Sequence, residues 1–451
     1  MEKEMELIKN AAMYLLSFEP YVMLPFIILI LAIIFRIKFS TGIKSAFTIG
    51  IGFIGIFVIF DYFVSIINPV IQKLISRAGL QLDILDAGWP PLAAMTWAFS
   101  FAPLILLILM LLNIVLLTAR LTKTINIDIW NYWHFIFAGA LVYNITNNIL
   151  LSTFASAILF IITIKLADWS APLLRKFSDL KGISVPTLSA VVCFPFGVLG
   201  NKLIDRIPFI NKINANPEKM KEKMGLLGEP MIIGFIFGLF LGIGTGYNVK
   251  EIIELAFGIA AAIYILPKMA SIVGNSLIPI SEGMKDFIKK HFPKTGETYI
   301  GLDVAVIIGL PSVVVTSILL IPTSLVLAFI FPGVKFIPLG DLVNLVVVTS
   351  FLCVATKGNV VRSYIIGIPI VILHLYLASN TAHLYANLAE SVDFKPAGYD
   401  GVFTSFIDGG NVLRTWVVKM FSGNIYALLL IPVVLGILYL TRKLSNKNSQ
   451  Y

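Results

Sequence analysis

Asn148-Ile149-Leu150-Leu151-Ser152 opens an apolar run that closes at Leu166-Ala167. Asn359-Val360-Val361-Arg362-Ser363 opens another that closes at Leu377-Ala378, at the same spacing. Each run is long enough to cross a hydrocarbon core of about 30 Å as a helix. Upstream of each, an aspartate stands at the entrance of the preceding apolar run, Asp128 in one copy and Asp341 in the other. Further upstream, Ile67-Asn68-Pro69-Val70 and Ile278-Pro279-Ile280 each start an amphipathic stretch that leads to an aspartate near a short apolar segment, Asp86 and Asp303. Downstream of each run lies an apolar stretch too broken to span. Ile183–Ile207 contains Pro186, Pro195 and Gly197, and Tyr399–Phe421 has Asp408-Gly409-Gly410-Asn411 at its middle. An odd number of spans separates the two copies, so the second is inverted in the membrane. Inverted repeats belong to alternating-access transporters, with the solute near the midplane between copies.

The rest of the chain agrees with a membrane solvent. Its 451 residues are 58% hydrophobic and 13% charged, with mean hydropathy +0.92, and a soluble chain of average composition is about 25% charged. The expected fold is an all-α polytopic membrane protein of about eleven transmembrane helices. These run over 20–36, 46–67, 92–118, 130–147, 149–166, 230–247, 250–268, 312–332, 340–356, 363–383 and 424–441. They form two inverted repeats of five, with 183–207 and 399–421 as re-entrant hairpins. Irregular backbone at that depth survives only against protein or a water-filled cavity, which points to a solute site. Met1-Glu2-Lys3-Glu4-Met5-Glu6 lacks the basic start of a cleaved signal, so the first span is expected to stay. With the N-terminus outside and the C-terminus in the cytoplasm, 25 of the 34 Lys and Arg residues fall on the inner side. The net charge of +9 therefore follows the membrane and not a nucleic acid. The basic loop Lys212–Lys223 is a solvated positive-inside loop or a docking point for a cytosolic partner. Cys193 and Cys353, the two cysteines, both lie in apolar runs and suit packing better than a disulfide framework or a metal.

Ionisable residues inside a membrane are costly and mark function by default. Asp303, in Ile300-Gly301-Leu302-Asp303-Val304-Ala305, has no basic neighbour in sequence. Such a carboxylate accepts a hydrogen bond from a sugar hydroxyl, takes its proton, or caps a turn. Asp86-Ala87-Gly88-Trp89-Pro90 supplies an acceptor, a flexible glycine and an aromatic face for the C–H side of a polyol, although Trp89 also suits an interfacial anchor. In Asp128-Ile129-Trp130-Asn131-Tyr132-Trp133-His134 the tryptophans mark the interface, and His134 lies about one turn deeper than Asn131. Asp341 and Asp408 serve equally as caps or as solute contacts. The glycines of Thr48–Gly55 permit close helix packing. Gly242-Ile243-Gly244-Thr245-Gly246 has no preceding strand and is not a nucleotide loop. No HExxH, CxxC, Walker or nucleophile-elbow motif occurs, so neither a metal nor another cofactor is expected.

These residues resemble the galactitol-specific enzyme IIC component of the bacterial phosphoenolpyruvate-dependent phosphotransferase system and, more distantly, the ascorbate-specific IIC proteins of the same superfamily. The matching elements run in order along nearly the whole chain. They are Gly50-Ile51-Gly52-Phe53, Asp86-Ala87-Gly88-Trp89-Pro90 with Met95-Thr96-Trp97-Ala98, and Asp128-Ile129-Trp130-Asn131 with His134. They continue as Gly228-Glu229-Pro230, Ile300-Gly301-Leu302-Asp303, Gly340-Asp341-Leu342 and Gly358-Asn359. The resemblance implies a homodimer in membrane lipid whose core domain shifts elevator-like against a scaffold. Residues 1–85, 229–298 and 424–451 would form the scaffold parts and closing span, and 86–228 and 299–423 the core parts with their hairpins. It also implies a polyol substrate and separate IIA and IIB chains, IIB phosphorylating the solute from a phosphocysteine. Asp303 would stand next to the reacting hydroxyl, with Asp86, Gly88, Trp89, His134 and Thr187 lining the pocket and Pro338 and Asp341 approaching from the second copy.

Two departures bear on the substrate. Thr187 follows Pro186 where galactitol proteins tend to carry histidine, and Leu310-Pro311 follows Gly309 where they tend to carry another. A pocket that loses hydroxyl-bonding groups changes its preference, so galactitol leads while a pentitol or another hexose derivative stays open. Two rivals are an ion-coupled secondary transporter, in which Asp303 or Asp86 binds a proton or Na⁺, and an intramembrane lipid transferase. The latter needs an acidic metal cluster such as DDxxD, which the sequence lacks.

Overall fold

The computed structural model describes residues 20–78, 84–178, 180–213, 215–216, 226, 229–291, 298–394 and 401–450. The acidic start, most of the basic loop Lys212–Lys223, Gly228 and the first two residues of the second broken stretch lie outside them.

The chain is mostly helical. It opens with α1 (Pro20–Ile34) and α2 (Phe39–Ala78), then β1 (Ile84–Asp86), α3 (Trp89–Ala98), α4 (Ala102–Thr118) and β2 (Thr124–Asn126). A 3-10 turn at Trp130–Tyr132 leads into α5 (Trp133–Thr146), followed by α6 (Ile149–Ser178), β3 (Ile183–Ser184), α7 (Leu188–Val191) and α8 (Phe194–Ile204). Next come α9 (Pro230–Thr245), α10 (Val249–His291), β4 (Tyr299–Gly301), α11 (Ala305–Ile308) and α12 (Pro311–Ile330). A 3-10 turn at Leu342–Asn344 precedes α13 (Leu345–Thr356), α14 (Val360–Ser391), β5 (Val402–Thr404), α15 (Val412–Phe421), α16 (Ile425–Leu429) and α17 (Ile431–Gln450). The order long helix, strand, two helices, 3-10 turn, helix, long helix, strand, helix occurs twice, with β2 an added strand in the first pass.

Among the described residues four helical segments are long and apolar enough to cross a bilayer: Ile149–Ser178, Pro311–Ile330, Val360–Ser391 and Ile425–Lys447. The apolar run expected as one span over 92–118 is instead two helices, α3 and α4, meeting at a bend of 97°. Phe99 leaves the helical region at ψ 124°, and Pro103, at the second position of α4, has no N–H to continue the ladder of α3. The chain is a multi-pass membrane protein.

Alongside the helices stand five short strands, so the fold is not purely α as its composition suggests. They form two small parallel sheets, β1–β5 and β2–β4–β3. Ile84 pairs with Val402 and Asp86 with Thr404. Thr124 pairs with Tyr299, and Ile183 and Ser184 pair with Ile300 and Gly301. Every sheet thus joins the first half of the chain to the second. Backbone that leaves a helix inside a low-dielectric interior must find other hydrogen-bond partners, and each break finds them on the opposite half. Where no strand is available a side chain substitutes. Asn113, midway along α4, donates from Nδ2 to the Thr124 carbonyl at 3.0 Å and accepts from the Asn126 N–H at 2.9 Å. Asp168 of α6 holds the start of β2 through the Thr122 and Thr124 hydroxyls, at 2.9 to 3.0 Å.

Prolines and asparagines set where the helices around the breaks begin. Pro90, Pro195 and Pro311 occupy first-turn positions whose N–H has no helical partner. Asn359 and Asn411 cap α14 and α15, their side chains accepting from the Arg362 and Arg414 N–H groups. α1, α2, α9 and α10 pack on one another as one group. The remaining helices build a second group around the two sheets, with a core that includes Phe135, Phe160, Phe194, Phe351 and Phe406.

Candidate functional site

Asp86 closes β1 and Asp303 follows β4 by two residues, and the two carboxylates are treated differently. At β1, Asp86 Oδ1 accepts from the Gly88 and Phe406 N–H groups at 3.2 and 3.0 Å, and Oδ2 from the Asp341 N–H at 3.1 Å. Asp341 in turn accepts from the Trp89 N–H at 3.3 Å, Asn344 Nδ2 at 2.6 Å, the Ile407 N–H at 3.3 Å and the Ser405 hydroxyl. Backbone donors from both halves therefore occupy these buried carboxylates. The close approach requires glycine: Gly88 adopts φ +73°, and a Cβ on Gly340 would lie 2.6 Å from the Gly88 nitrogen. Asp86, Gly88 and Asp341 form a knot that ties the two halves, with both carboxylates engaged by donors across it. Pro338 lies buried three residues before Asp341.

At β4, Asp303 is the partly exposed member of an otherwise buried set that includes Asp86, Asp128, Asp341 and Asp408. Its Oδ1 accepts from the Ala305 N–H at 2.8 Å and its Oδ2 from the Thr187 hydroxyl at 3.1 Å. Thr187, at the tip of the first broken stretch, accepts in turn from the Val304 N–H at 2.9 Å. Asp128 faces the same place and interacts electrostatically with Asp303. Asp128 accepts from the Trp130 N–H at 3.0 Å. Each oxygen of Asp303 accepts one such bond and keeps a lone pair, whereas Asp86 has one left on Oδ2 alone.

His134, at the start of α5, lies within electrostatic range of Asp303. Its Nδ1 is 3.0 Å from Arg414 Nη2 and 3.2 Å from Asp408 Oδ1, while Arg414 Nη2 lies 3.1 Å from the same oxygen. Nδ1 therefore faces both a donor, the guanidinium, and an acceptor, the Asp408 carboxylate, and the ring is held on that side in either tautomer. Arg414 is 1% exposed and its guanidinium also lies 5.5 Å from the Trp133 ring and 5.0 Å from that of Phe137. Asp408, which in sequence suits a cap or a solute contact, instead neutralises this arginine.

Four tryptophans wall the same region. Trp89 stacks on Trp133 at 6.3 Å and meets Trp130 edge-on at 6.4 Å, Trp97 packs on Trp130 at 6.3 Å, and Trp133 lies 4.1 Å from His134. Partly buried Trp89 is thus a wall of the cluster, not an isolated interfacial anchor. Three buried polar groups here lack a partner: Trp97 Nε1, Asn131 Oδ1 and the Asn126 amide. Asn126 pairs with Gly301, two residues before Asp303, and Asn131 bonds Asp128. A buried polar group left unbonded costs about 1–3 kcal/mol, so their concentration beside one open carboxylate is the signature of a polar ligand site. Arg414 escaped sequence reasoning, although an arginine inside an apolar stretch is the signal that singled out the aspartates. Among the described residues no group of three His, Cys, Asp or Glu side chains is disposed to hold a metal. Cys193 and Cys353 are buried and free, 0% exposed.

Residues 14–398 match the family EIIC-GAT, described as the PTS system sugar-specific permease component. The chain is 33% identical over 429 residues to the PTS system galactitol-specific EIIC component of Escherichia coli (strain K12), covering 95% of this chain and 94% of that one. The protein of the same name from Escherichia coli O157:H7 matches to the same extent. A further Escherichia coli (strain K12) protein, named as a permease IIC component without a solute, is 33% identical over 434 residues, 95% of this chain and 98% of its own. A membrane fold with a polar pocket at paired helix breaks, matched end to end by such relatives, places this chain in the EIIC-GAT family of phosphotransferase-system permease components.

Proposed function

We propose that this permease subunit binds a polyol, galactitol foremost, between its two halves and carries it across the inner membrane coupled to its phosphorylation. The observation that supports this most is Asp303, an open carboxylate within electrostatic range of His134, with unpartnered Asn126, Asn131 and Trp97 groups and a tryptophan wall around it. Hydroxyls satisfy such orphaned donors and acceptors, and indole faces suit the C–H face of a polyol. In the transfer step the solute hydroxyl attacks the phosphorus of phosphocysteine on a separate IIB chain. The P–S bond breaks, a P–O bond forms, Asp303 takes the hydroxyl proton, and the thiolate returns to IIB. IIA, also separate, recharges IIB. Asp303 is the catalytic base. Trp89, His134 and Thr187 line or position the pocket, while Asp86, Gly88, Pro338 and Asp341 hold the crossing that shapes it.

The architecture proposed around this chemistry is a homodimer of eleven-span subunits, N-terminus outside and C-terminus cytoplasmic, in which two inverted five-span repeats interlock. α1, α2, α9 and α10 are its fixed scaffold. The strand-bearing helices, with re-entrant hairpins at 183–207 and 399–421, are the core that moves. The recurring element order and the two packing groups support this division. An ion-coupled secondary transporter is less favoured, since the family partner chemistry leaves no task for an ion gradient.

Membranes containing the protein, mixed with the cognate IIA, IIB and general phosphotransferase proteins, should convert galactitol to its phosphate in a phosphoenolpyruvate-dependent manner. Asp303→Asn should abolish product formation while the purified variant elutes like the parent. Full activity in that variant removes Asp303 from the mechanism, and uptake that needs an ion gradient but no phosphoenolpyruvate restores the secondary transporter.

A further inference from the structure

Apart from the Asp303 cluster there is a cavity of about 290 Å³. Lys176 near the end of α6, Lys357 and Gly358 between α13 and α14, Asn216, and Pro311 with Ser312 at the start of α12 line it, together with apolar Leu173, Phe177 and Leu310. Among the described residues no acidic side chain lines it. Neither ammonium group has a carboxylate partner among the described residues. Asn216 is turned the other way, its Nδ2 donating to the Lys357 carbonyl at 2.9 Å, which fixes the loop that carries Lys357.

Ser312 is the decisive residue. It is 5% exposed, yet its hydroxyl has no hydrogen-bond partner among the described residues. Its backbone N–H is also unused, since the neighbouring Val313 and Val314 N–H groups both go to the Leu310 carbonyl. A Cβ on Gly358, which adopts φ +79°, would come within 3.0 Å of that hydroxyl, so glycine leaves the cavity open at this point. α12 is 20 residues long, and the positive end of its dipole adds to two lysine charges. A buried, unpartnered hydroxyl and N–H between two unpaired ammonium groups match a phosphate monoester, which offers three strong acceptor oxygens and about two negative charges.

The position adds meaning. Residues 304–310, with the one-turn helix α11 among them, are all that separates Asp303 from the start of α12 along the chain. The lysines and the cavity mouth fall on the side assigned to the cytoplasm. We propose that this cavity is the product's exit site, which takes the phosphoryl group of the newly formed polyol phosphate; this rests on the function proposed above. The neutral polyol has nothing to gain there. Once Asp303 has released the proton it took, its carboxylate repels the phosphorylated solute while the lysine-lined cavity attracts it, so transfer itself sets the direction of departure.

The test titrates inorganic phosphate and, separately, galactitol into purified full-length protein by calorimetry, first in detergent and then in nanodiscs with or without phosphatidic acid. Inorganic phosphate should bind the parent, and Lys176→Gln with Lys357→Gln should weaken it at least tenfold while galactitol affinity stays unchanged. Ser312→Ala should weaken phosphate several-fold, and the lysine variant should relieve product inhibition in the phosphorylation assay. Absence of phosphate binding with galactitol binding intact overturns the exit site alone. Loss of both galactitol binding and phosphorylation in the parent overturns the function on which it rests. If phosphatidic acid displaces phosphate and the lysine variant loses co-purifying lipid with product inhibition unaltered, the cavity is a headgroup site and the product assignment falls.

Discussion

His134, Asp408 and Arg414 form a buried triad whose members are worth little singly and much together. Removing one partner strands a charge in a medium that cannot solvate it, which costs about 3–5 kcal/mol, whereas replacing the whole set by apolar groups is often tolerated. Arg414→Met alone should therefore lower the thermal midpoint of the detergent-purified protein markedly. Asp408→Asn combined with Arg414→Met should recover part of that loss, and additive losses would show that the pair is not coupled. The same substitutions should reduce polyol affinity even where the fold recovers, since His134 then loses the charged pair that holds its ring in place. At this scale the sequence was partly legible. Asp303, His134 and Trp89 stand out because ionisable and amphipathic residues in apolar runs need a reason. Arg414 shows no such prominence beside Asp408-Gly409-Gly410-Asn411, and only folding reveals that its partner lies 280 residues away at His134.

Among elements, the apolar runs announce helices, and the prolines and glycines of the two broken stretches announce their interruption. The strands do not announce themselves. Segments of two or three residues carry no period, and each is stabilised by a partner in the other half of the chain, not by its own composition. The 97° break between α3 and α4 is hidden for a similar reason, because hydrophobicity continues unchanged through it. Where α3 begins, Gly88 and Gly340 let two backbone segments touch. Gly340→Ala would drive a methyl group into the Asp86 carbonyl and the Gly88 nitrogen, atoms that cannot step aside. Its yield of folded protein should collapse, whereas Gly436→Ala, whose Cβ meets nothing within 4 Å, should be neutral or slightly favourable. Normal yield and polyol binding in Gly340→Ala would remove the knot from the account.

The whole molecule is two similar runs of elements laced through each other rather than set side by side. Helix composition predicts a multi-pass protein, and the recurring aspartates predict a duplicated plan, but the lacing is visible only once β1 is seen against β5. Its consequence concerns biogenesis. When a ribosome has delivered α1 to α8 to the bilayer, Ile84–Asp86 still awaits Val402–Thr404, about two hundred residues from being made. The nascent N-terminal portion must persist with unpaired backbone until synthesis is nearly finished. A chain stopped at residue 395 should consequently be degraded in cells, and co-expression of residues 396–451 as a separate fragment should rescue some of it. Pulse-chase turnover measures both. Quality-control proteases would thus sense completion of the permease through a three-residue strand, and gene-fusion junctions placed before it would fail where those after it succeed.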